Sequence, residues 1–198
     1  MEKILQLFLY HNKLKFSEIE KQTGIRSNKL SYYLKKLTKE KIIKKENGFY
    51  CLNEGSEHLI PYIDSRISVL PIILIAINKK NLFFLYKRQK KPYKDKLSLP
   101  GGRIILGEDI KKSIKRIMKK YNLNANLKKI NSISLEQVKK REKIIHTFLL
   151  IFVSAQTKDK ISYLNIERNK KQIISSDYKL IKNDLNKEVK INEIFSRD

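Results

Sequence analysis

The sequence of 198 residues has little of what several protein classes require. A single cysteine, Cys51, excludes an internal disulfide framework, and none of the three histidines has a Cys or His partner at the spacing of zinc ligands. The longest apolar run, VLPIILIAI at 69–77, is too short to cross a bilayer. There is no P-loop, dinucleotide fingerprint, G-x-S-x-G elbow or N-terminal signal sequence. We therefore expect a folded cytoplasmic protein.

Acidic residues are also scarce, since 20 Asp and Glu face 44 Lys and Arg and give a net charge of +24. Clustered cations bind polyanions by releasing counterions, so nucleic acid is the first partner to consider. A lysine-rich composition alone explains the charge equally well. Residues 1–67 hold 13 basic against 8 acidic residues and the rest holds 31 against 12, so most of the excess lies in the second part. This favours either compositional bias or an anionic ligand there.

Residues 1–66 have the pattern of three helices followed by a hairpin. Ile4, Leu5, Leu7 and Phe8 predict a short amphipathic opening helix. FSEIEKQTG has Ser17 and Glu20 at capping-box spacing and predicts a second helix that begins just after Ser17 and ends at Gly24. A third helix has Ser27 as N-cap and an apolar stripe that we expect to be buried, at Leu30, Tyr33, Leu34 and Leu37. The run IIKKENGFYCL then predicts a β-hairpin turning at Asn47-Gly48.

The third helix and the hairpin carry the side chains expected of a surface that reads a DNA groove. The pattern resembles the winged helix-turn-helix repressors of the MarR and ArsR type, which implies double-stranded DNA as partner and a homodimer on a two-fold operator. A small helical bundle with a solvated basic face is the alternative. The predicted DNA-binding residues are Arg26, Ser27, Asn28, Lys29, Ser31, Tyr32, Lys35, Lys36, Lys44, Lys45 and Asn47.

Residues 67–198 have a different pattern, after a linker that contains Pro61 and residues 64–66. Residues 69–77 and LFFLYKR predict strands, HTFLLIFV at 146–153 predicts a core strand, and KKREK at 139–143 predicts a solvated hairpin or loop. The last stretch, from Ser175 to Phe195, has weak helical spacing and no assigned role.

A motif at 99–123, LPGGRIILGEDIKKSIKRIMKKYNL, decides whether this second part is catalytic. It resembles the signature of the Nudix hydrolases, Gx5Ex7REUxEExGU with U apolar, and the matching residues are Gly102, Glu108 and Arg116. The resemblance implies an α/β/α sandwich, so the predicted fold class is α+β with a winged helix-turn-helix followed by this sandwich. An unrelated α/β domain with a tight Gly-Gly turn is the alternative.

The rest of the motif departs from the signature. Ile117, Lys120 and Tyr121 stand where the family has glutamates, and Leu123 replaces the final glycine. The family's hydrolysis of diphosphates needs carboxylates on this helix to hold Mg²⁺ or Mn²⁺. Lys120 would instead repel a divalent cation, and Ile117 joins an apolar stripe that we expect to be buried. We therefore predict no metal, no cofactor and no enzymatic activity.

A fold without its metal ligands can keep a cleft for a nucleotide-like phosphorylated effector. The predicted ligand-binding residues are Arg88, Gly101, Gly102, Arg103, Glu108 and Arg116, with Lys87 as a further cation. Each of these charges has the alternative of bracing a loop or facing solvent.

The sequence is compatible with three functions. The first is a transcriptional regulator with a ligand-sensing or dimerising second domain, which resembles the Nudix-related transcriptional regulators with the module order reversed. The second is a metal-dependent Nudix hydrolase of nucleoside diphosphate derivatives with an accessory DNA-binding domain. Its substitute ligands would be Glu108, Asp109, Glu136 or Glu142. The third is a general chromatin or RNA binder.

Overall fold

The computed structural model describes residues 1–56 and 69–194, which belong to two compact units, Met1–Ser68 and Val69–Asp198. The predicted linker and the predicted boundary after residue 66 lie outside the described residues. Among those that are described, no helix has the length and apolar character needed to span a membrane.

The elements of the N-terminal unit are α1 (Glu2–Leu7), β1 (Leu14–Lys15), α2 (Phe16–Thr23), α3 (Ser27–Lys39), β2 (Ile43–Glu46) and β3 (Phe49–Leu52). The three strands form a small antiparallel sheet in the order β1-β3-β2. The three helices and the hairpin appear in the predicted order, and β1 was not predicted. The assignment to the winged-helix class stays a prediction.

Two turns in this unit depend on backbone that takes a positive φ. Gly24 ends α2 at φ 65°, and Asn47 and Gly48 connect β2 to β3 at φ 50° and 81°. Asn and Gly tolerate this left-handed region best, which is why both turns were predictable from the sequence.

The predicted helix caps are wrong by one or two residues. Helix α2 begins at Phe16, and the Glu18 carboxylate accepts a hydrogen bond of 2.6 Å from the backbone N–H of Lys15. Ser27 is the first residue of α3, whose N-cap is Arg26, and its hydroxyl donates to Glu20. The predicted apolar stripe is largely confirmed, because its three leucines are at most 1% exposed and Tyr33 is half-buried.

The elements of the C-terminal unit are β4 (Leu70–Ala76), β5 (Asn78–Lys79), β6 (Leu82–Phe83), β7 (Tyr86–Lys87), β8 (Leu97–Ser98), β9 (Gly101–Arg103), α4 (Ile110–Lys119), β10 (Ala125–Lys140), β11 (Lys143–Thr157), β12 (Leu164–Asn165) and α5 (Ser175–Asp184). The unit is built around a mixed four-stranded sheet in the order β10-β11-β4-β9. Strands β10 and β11 form a long antiparallel hairpin that turns at Arg141 and Glu142, as predicted, and β11 runs parallel to β4.

Alternation along the central strands gives this sheet two apolar faces. Ile73 and Ile75 of β4 pack in one cluster with Ile114 and Ile117 of α4. The intervening side chains of β4 pack in the other cluster with α5. Successive strand residues point to opposite faces, so one strand serves both layers. The predicted α/β/α arrangement and the mixed α+β class are therefore confirmed.

Candidate active site in the C-terminal unit

A cavity of about 530 Å³ opens on the α5 side of the sheet. Its floor is apolar and comes from β4 and β11, at Ile72, Leu74, Phe148 and Leu150. Its other walls are the Gly101–Arg103 strand, the loop around Tyr93 and the first turn of α5. Volume and mixed lining suit a small organic ligand with a charged end.

Close packing explains the paired glycines at the cavity wall. A Cβ at Gly101 would lie 2.8 Å from the Leu74 side chain and 2.9 Å from the Ile73 carbonyl oxygen. A Cβ at Gly102 would lie 2.9 Å from Cγ1 of Ile117. The strand can therefore run against β4 and α4 only because both side chains are absent.

Arg116 on α4 ties this strand to the loop that follows it. Its Nε donates to both carboxylate oxygens of Glu108, at 2.7 and 2.9 Å, and its Nη2 donates to the Arg103 carbonyl oxygen at 2.7 Å. Ser113 also donates to Glu108, at 2.8 Å. The hydrogen bonds from Arg116 are the main reason that the pKa of Glu108 is lowered. Both oxygens of this carboxylate are used to hold Arg116 and Ser113 in place.

Four cationic side chains reach the same cavity, and two of them come from α4 and its C-cap. Arg88, Arg103, Arg116 and Lys120 all contribute to its lining. Arg88 is held by its own loop, because its Nε donates to the carbonyl oxygens of Pro92 at 2.6 Å and Lys90 at 3.1 Å. Their presence around one cavity creates a positive field suited to phosphate oxygens.

A buried carboxylate lies in the same cavity. Asp177 is 3% exposed, and its Oδ2 accepts hydrogen bonds from the Ser98 hydroxyl at 2.9 Å and the Leu99 backbone N–H at 2.8 Å. Burial raises its pKa to about 6, against these two hydrogen bonds, which act to lower it. Among the hydrogen bonds of the described residues, none reaches Oδ1. Asp177 can therefore take up or release a proton near neutral pH.

A second carboxylate, Glu136 on β10, lines the cavity beside Tyr93. The Tyr93 hydroxyl donates to Glu136 Oε1 at 3.1 Å. Burial, together with the negative charge of Glu136, raises the pKa of Tyr93 to about 12. The negative charge of Glu136 also raises the pKa of Asp177, although burial has the larger effect.

The predicted ligand-binding residues are brought together with one exception. Arg88, Gly101, Gly102, Arg103 and Arg116 line the cavity, whereas Glu108 borders a different depression with Asp109. Lys87 is exposed and pairs with Asp95 at 3.8 Å.

Helix α4 does not offer the donors that a divalent cation requires. Ile117 is fully buried, as predicted, and packs on Gly102, while Lys120 brings a positive charge to the cavity. Tyr121 packs with Phe84 and Tyr86, at ring centroid distances of 5.8 and 5.0 Å.

The substitute ligands Glu108, Asp109, Glu136 and Glu142 are not brought together either. Within residues 1–56 and 69–194, no group of three or more His, Cys, Asp or Glu side chains could hold a metal ion. The side chains that are described therefore do not fit the metal that the family signature implies.

In the N-terminal unit, the predicted DNA-binding residues lie on one exposed helix and one hairpin. All are exposed except Ser31 and Lys44, which are half-buried, and Tyr32 is 63% exposed. A surface depression next to Tyr32 is lined by Lys35, Lys36 and Lys39. Two of the predicted cations have acidic neighbours, because Lys36 pairs with Glu40 and Lys44 with Glu46.

Sequence reasoning missed Asp177, Tyr93 and Ser98 as parts of the site. Asp177 lies in a segment with weak helical spacing, 79 residues away from the Ser98 hydroxyl that it accepts from. No local motif marks either residue. The only available signal was a carboxylate in the first turn of a C-terminal helix, and this is common in proteins.

No protein-family model matches the sequence, and no curated protein matches it. Among solved structures, a NUDIX hydrolase from Nitrosomonas europaea matches with a TM-score of 0.51 and 13% identity, over 58% of this chain and 87% of that one. A mutator MutT protein from Bacillus halodurans matches at 0.46 and 15% identity, over 61% and 84%. A UDP-X diphosphatase matches at 0.46 and 16% identity, over 91% and 88%.

At this identity the match to the Nitrosomonas protein shows the fold, so the Nudix-like domain is confirmed. The prediction that the chain is not an enzyme is wrong on the same finding, because the solved structure that shares the fold of this unit is that of a NUDIX hydrolase. That prediction relied on the missing glutamates of α4 and did not include Asp177, the carboxylate that α5 brings to the cavity. The N-terminal winged helix is not tested by these matches.

Proposed function

We propose that the C-terminal unit hydrolyses the diphosphate linkage of a nucleoside diphosphate derivative. The observation that carries the proposal is the meeting of four cations with a carboxylate of pKa about 6 in one cavity of the Nudix fold. Binding of a diphosphate requires cations that neutralise the charge of its oxygens. Its hydrolysis requires a group that can accept a proton from the attacking water.

Binding uses the two ends of the cavity differently. Arg103, Arg116 and Lys120 hold the phosphate oxygens, where Arg116 is already fixed by Glu108 and therefore loses little freedom on binding. The apolar floor, with Phe148 as its aromatic member, takes the nucleoside or its substituent. The negative charge of the ligand is balanced by the side chains of this chain.

The chemical step is the attack of water on one phosphorus atom. The oxygen of water forms the new P–O bond while Asp177 Oδ1 accepts the proton. The bond from phosphorus to the bridging oxygen breaks, and the leaving phosphate departs with the electron pair. The cations stabilise the charge that develops on the phosphate oxygens. Asp177 suits the role of base because its pKa of about 6 leaves it ionised at neutral pH without making it a very weak base.

The metal that this fold family uses has no fitting donors on α4, so no step is assigned to it. EDTA also removes any divalent cation that the substrate's own phosphates bind. We therefore expect hydrolysis to persist in EDTA.

The test is hydrolysis of ADP-ribose or a dinucleotide polyphosphate, with products separated by ion-exchange chromatography. Wild type should release nucleoside monophosphate, and Asp177→Asn, which keeps the hydrogen-bond acceptor for Ser98 and Leu99, should lose at least about 100-fold in kcat. Asp184→Asn, a carboxylate change on the same helix outside the cavity, is the matched control. Equal rates in wild type and Asp177→Asn would remove the proposed base.

A second function, binding of double-stranded DNA by the N-terminal unit, is favoured by the exposed face of α3. Asn28, Lys29, Tyr32 and Lys35 present amide, ammonium and aromatic groups to solvent on one helix, next to a basic hairpin. A homodimer on a two-fold operator is part of this second proposal.

Lys29→Ala or Tyr32→Ala should weaken binding to a selected operator by roughly 1–3 kcal/mol. Gel-shift titration against random duplexes separates specific regulation from general binding. Unchanged affinity in both variants would remove α3 as the recognition helix. Equal affinity for operator and random duplex at physiological salt would favour a general nucleic-acid binder.

A further inference from the structure

A second groove borders the cavity in the C-terminal unit. This lysine groove has a volume of about 520 Å³ and is lined by Lys96, Lys170, Lys171 and Lys179, with Tyr93 and Tyr178 in its wall. Tyr93 and Ile174 belong to the lining of both the groove and the cavity, so the two are adjacent.

The lysine groove carries positive charge without compensation in its wall. None of the residues that line it is Asp or Glu, and none of its four lysines forms an ion pair within the described part of the chain. Lys96 Nζ donates to the Lys171 carbonyl oxygen at 2.9 Å, and Lys170 Nζ lies 5.1 Å from the centroid of the Tyr178 ring. Four ammonium groups that repel one another in one groove favour a polyanion.

The two tyrosines of the groove are held by their hydroxyl groups. Tyr178 donates to Glu167 at 3.0 Å, and Tyr93 donates to Glu136 at 3.1 Å. Tyr93 also takes a φ of 63°, a backbone conformation that is uncommon for a residue with a bulky side chain. Fixed aromatic rings between cations are the features with which proteins bind unpaired bases and their phosphates.

We propose that the lysine groove binds a single-stranded nucleic acid, with its phosphates on the lysines and its bases against the tyrosines. A duplex offers the same phosphates but hides the faces of its bases, so the tyrosines favour the single strand. Binding of the strand requires no hydrolysis. The inference therefore goes beyond the proposed activity and can hold or fail independently of it.

The test uses the full chain and a fluorescein-labelled single strand of about ten nucleotides, followed by fluorescence anisotropy over a range of salt concentrations. The groove variant is Lys170→Gln, Lys171→Gln and Lys179→Gln. Its matched control is Lys111→Gln, Lys115→Gln and Lys119→Gln, which removes the same charge from the exposed face of α4 outside both cavities.

The groove variant should weaken binding at least about tenfold and reduce the slope of log K against log salt by about 2, while the control keeps most of the affinity. Equal losses in the two variants would assign binding to net charge and overturn the proposal. A duplex of the same length that competes equally well would overturn it too.

Single substitutions at Tyr178 give a second measurement that does not depend on the triple variant. Tyr178→Phe keeps the ring and should retain binding, whereas Tyr178→Leu should weaken it about tenfold. Equal affinity in these two variants contradicts stacking on the ring.

Discussion

Asp177→Asn should stabilise the C-terminal unit at pH 8 and leave its stability almost unchanged at pH 4. In the folded protein the pKa of Asp177 is raised from 3.8 to about 6 by burial. The folded state therefore binds this proton more tightly than the unfolded chain does. Its favourable contribution is complete below pH 3.8 and is lost as the pH rises through 6.

A shift of about two pKa units corresponds to about 3 kcal/mol at 1.4 kcal/mol per unit. This is the stability that the ionised carboxylate costs above pH 6. Asparagine removes the charge and still accepts hydrogen bonds from Ser98 and Leu99. The expected gain in the free energy of unfolding is thus up to about 3 kcal/mol at pH 8. A buried group that costs stability is typical of a site whose chemistry needs it.

Urea unfolding at pH 4 and pH 8, followed by the fluorescence of the 10 tyrosines, measures this difference. Because the chain has two units, the transition that moves must be that of the C-terminal one. Asp184→Asn is a control of opposite sign, since the hydrogen bond from Lys187 lowers the pKa of Asp184 and the substitution should cost stability at pH 8. A gain in Asp177→Asn that is the same at both pH values, or absent at both, would refute the reasoning.

The remaining predictions concern Gly102 in the cavity wall, Ile117 that packs against it, and Arg116 that donates to the Arg103 carbonyl oxygen. Gly102→Ala should lower the free energy of unfolding by about 1–3 kcal/mol, because its Cβ would lie 2.9 Å from Ile117; Gly55→Ala, with open space around it, is the control in thermal unfolding. Ile117→Glu should lower it by at least about 3 kcal/mol at pH 8 and less at pH 4, where the buried carboxyl is neutral, as urea titration would show. Arg116→Ala should weaken ADP-ribose binding in calorimetry more than Lys119→Ala does, and equal affinities would contradict the role of Arg116.

The elements of both units were predictable wherever one local rule decided them. The Asn47-Gly48 turn, the end of α2 at Gly24 and the apolar stripe of α4 each follow from the backbone freedom or hydrophobic spacing of neighbouring residues. The predicted cap of α2 is wrong because Glu18 accepts from the backbone N–H of Lys15, whereas Glu20 accepts from the Ser27 hydroxyl.

The candidate site was predictable only where its residues belong to one local motif. The glycines and Arg116 belong to one contiguous motif, so the sequence contains their spacing. Asp177 joins them by accepting a buried hydrogen bond from Ser98, which lies 79 residues earlier in the sequence. Its raised pKa depends on burial, which no local pattern reveals. Ile117 and Tyr121 are packed as the spacing predicts, whereas Lys120 lines the cavity, and the conclusion of inactivity did not include the Asp177 carboxylate of α5.

Turnover of ADP-ribose in EDTA, with Lys120→Ala assayed beside wild type, tests most directly whether cationic side chains take the place of the metal. Lys120 lines the cavity next to Arg103 and Arg116, so its loss should slow turnover at least about tenfold while wild type keeps its rate after chelation. Turnover that appears only with added Mg²⁺ and is unaffected by Lys120→Ala would contradict the account.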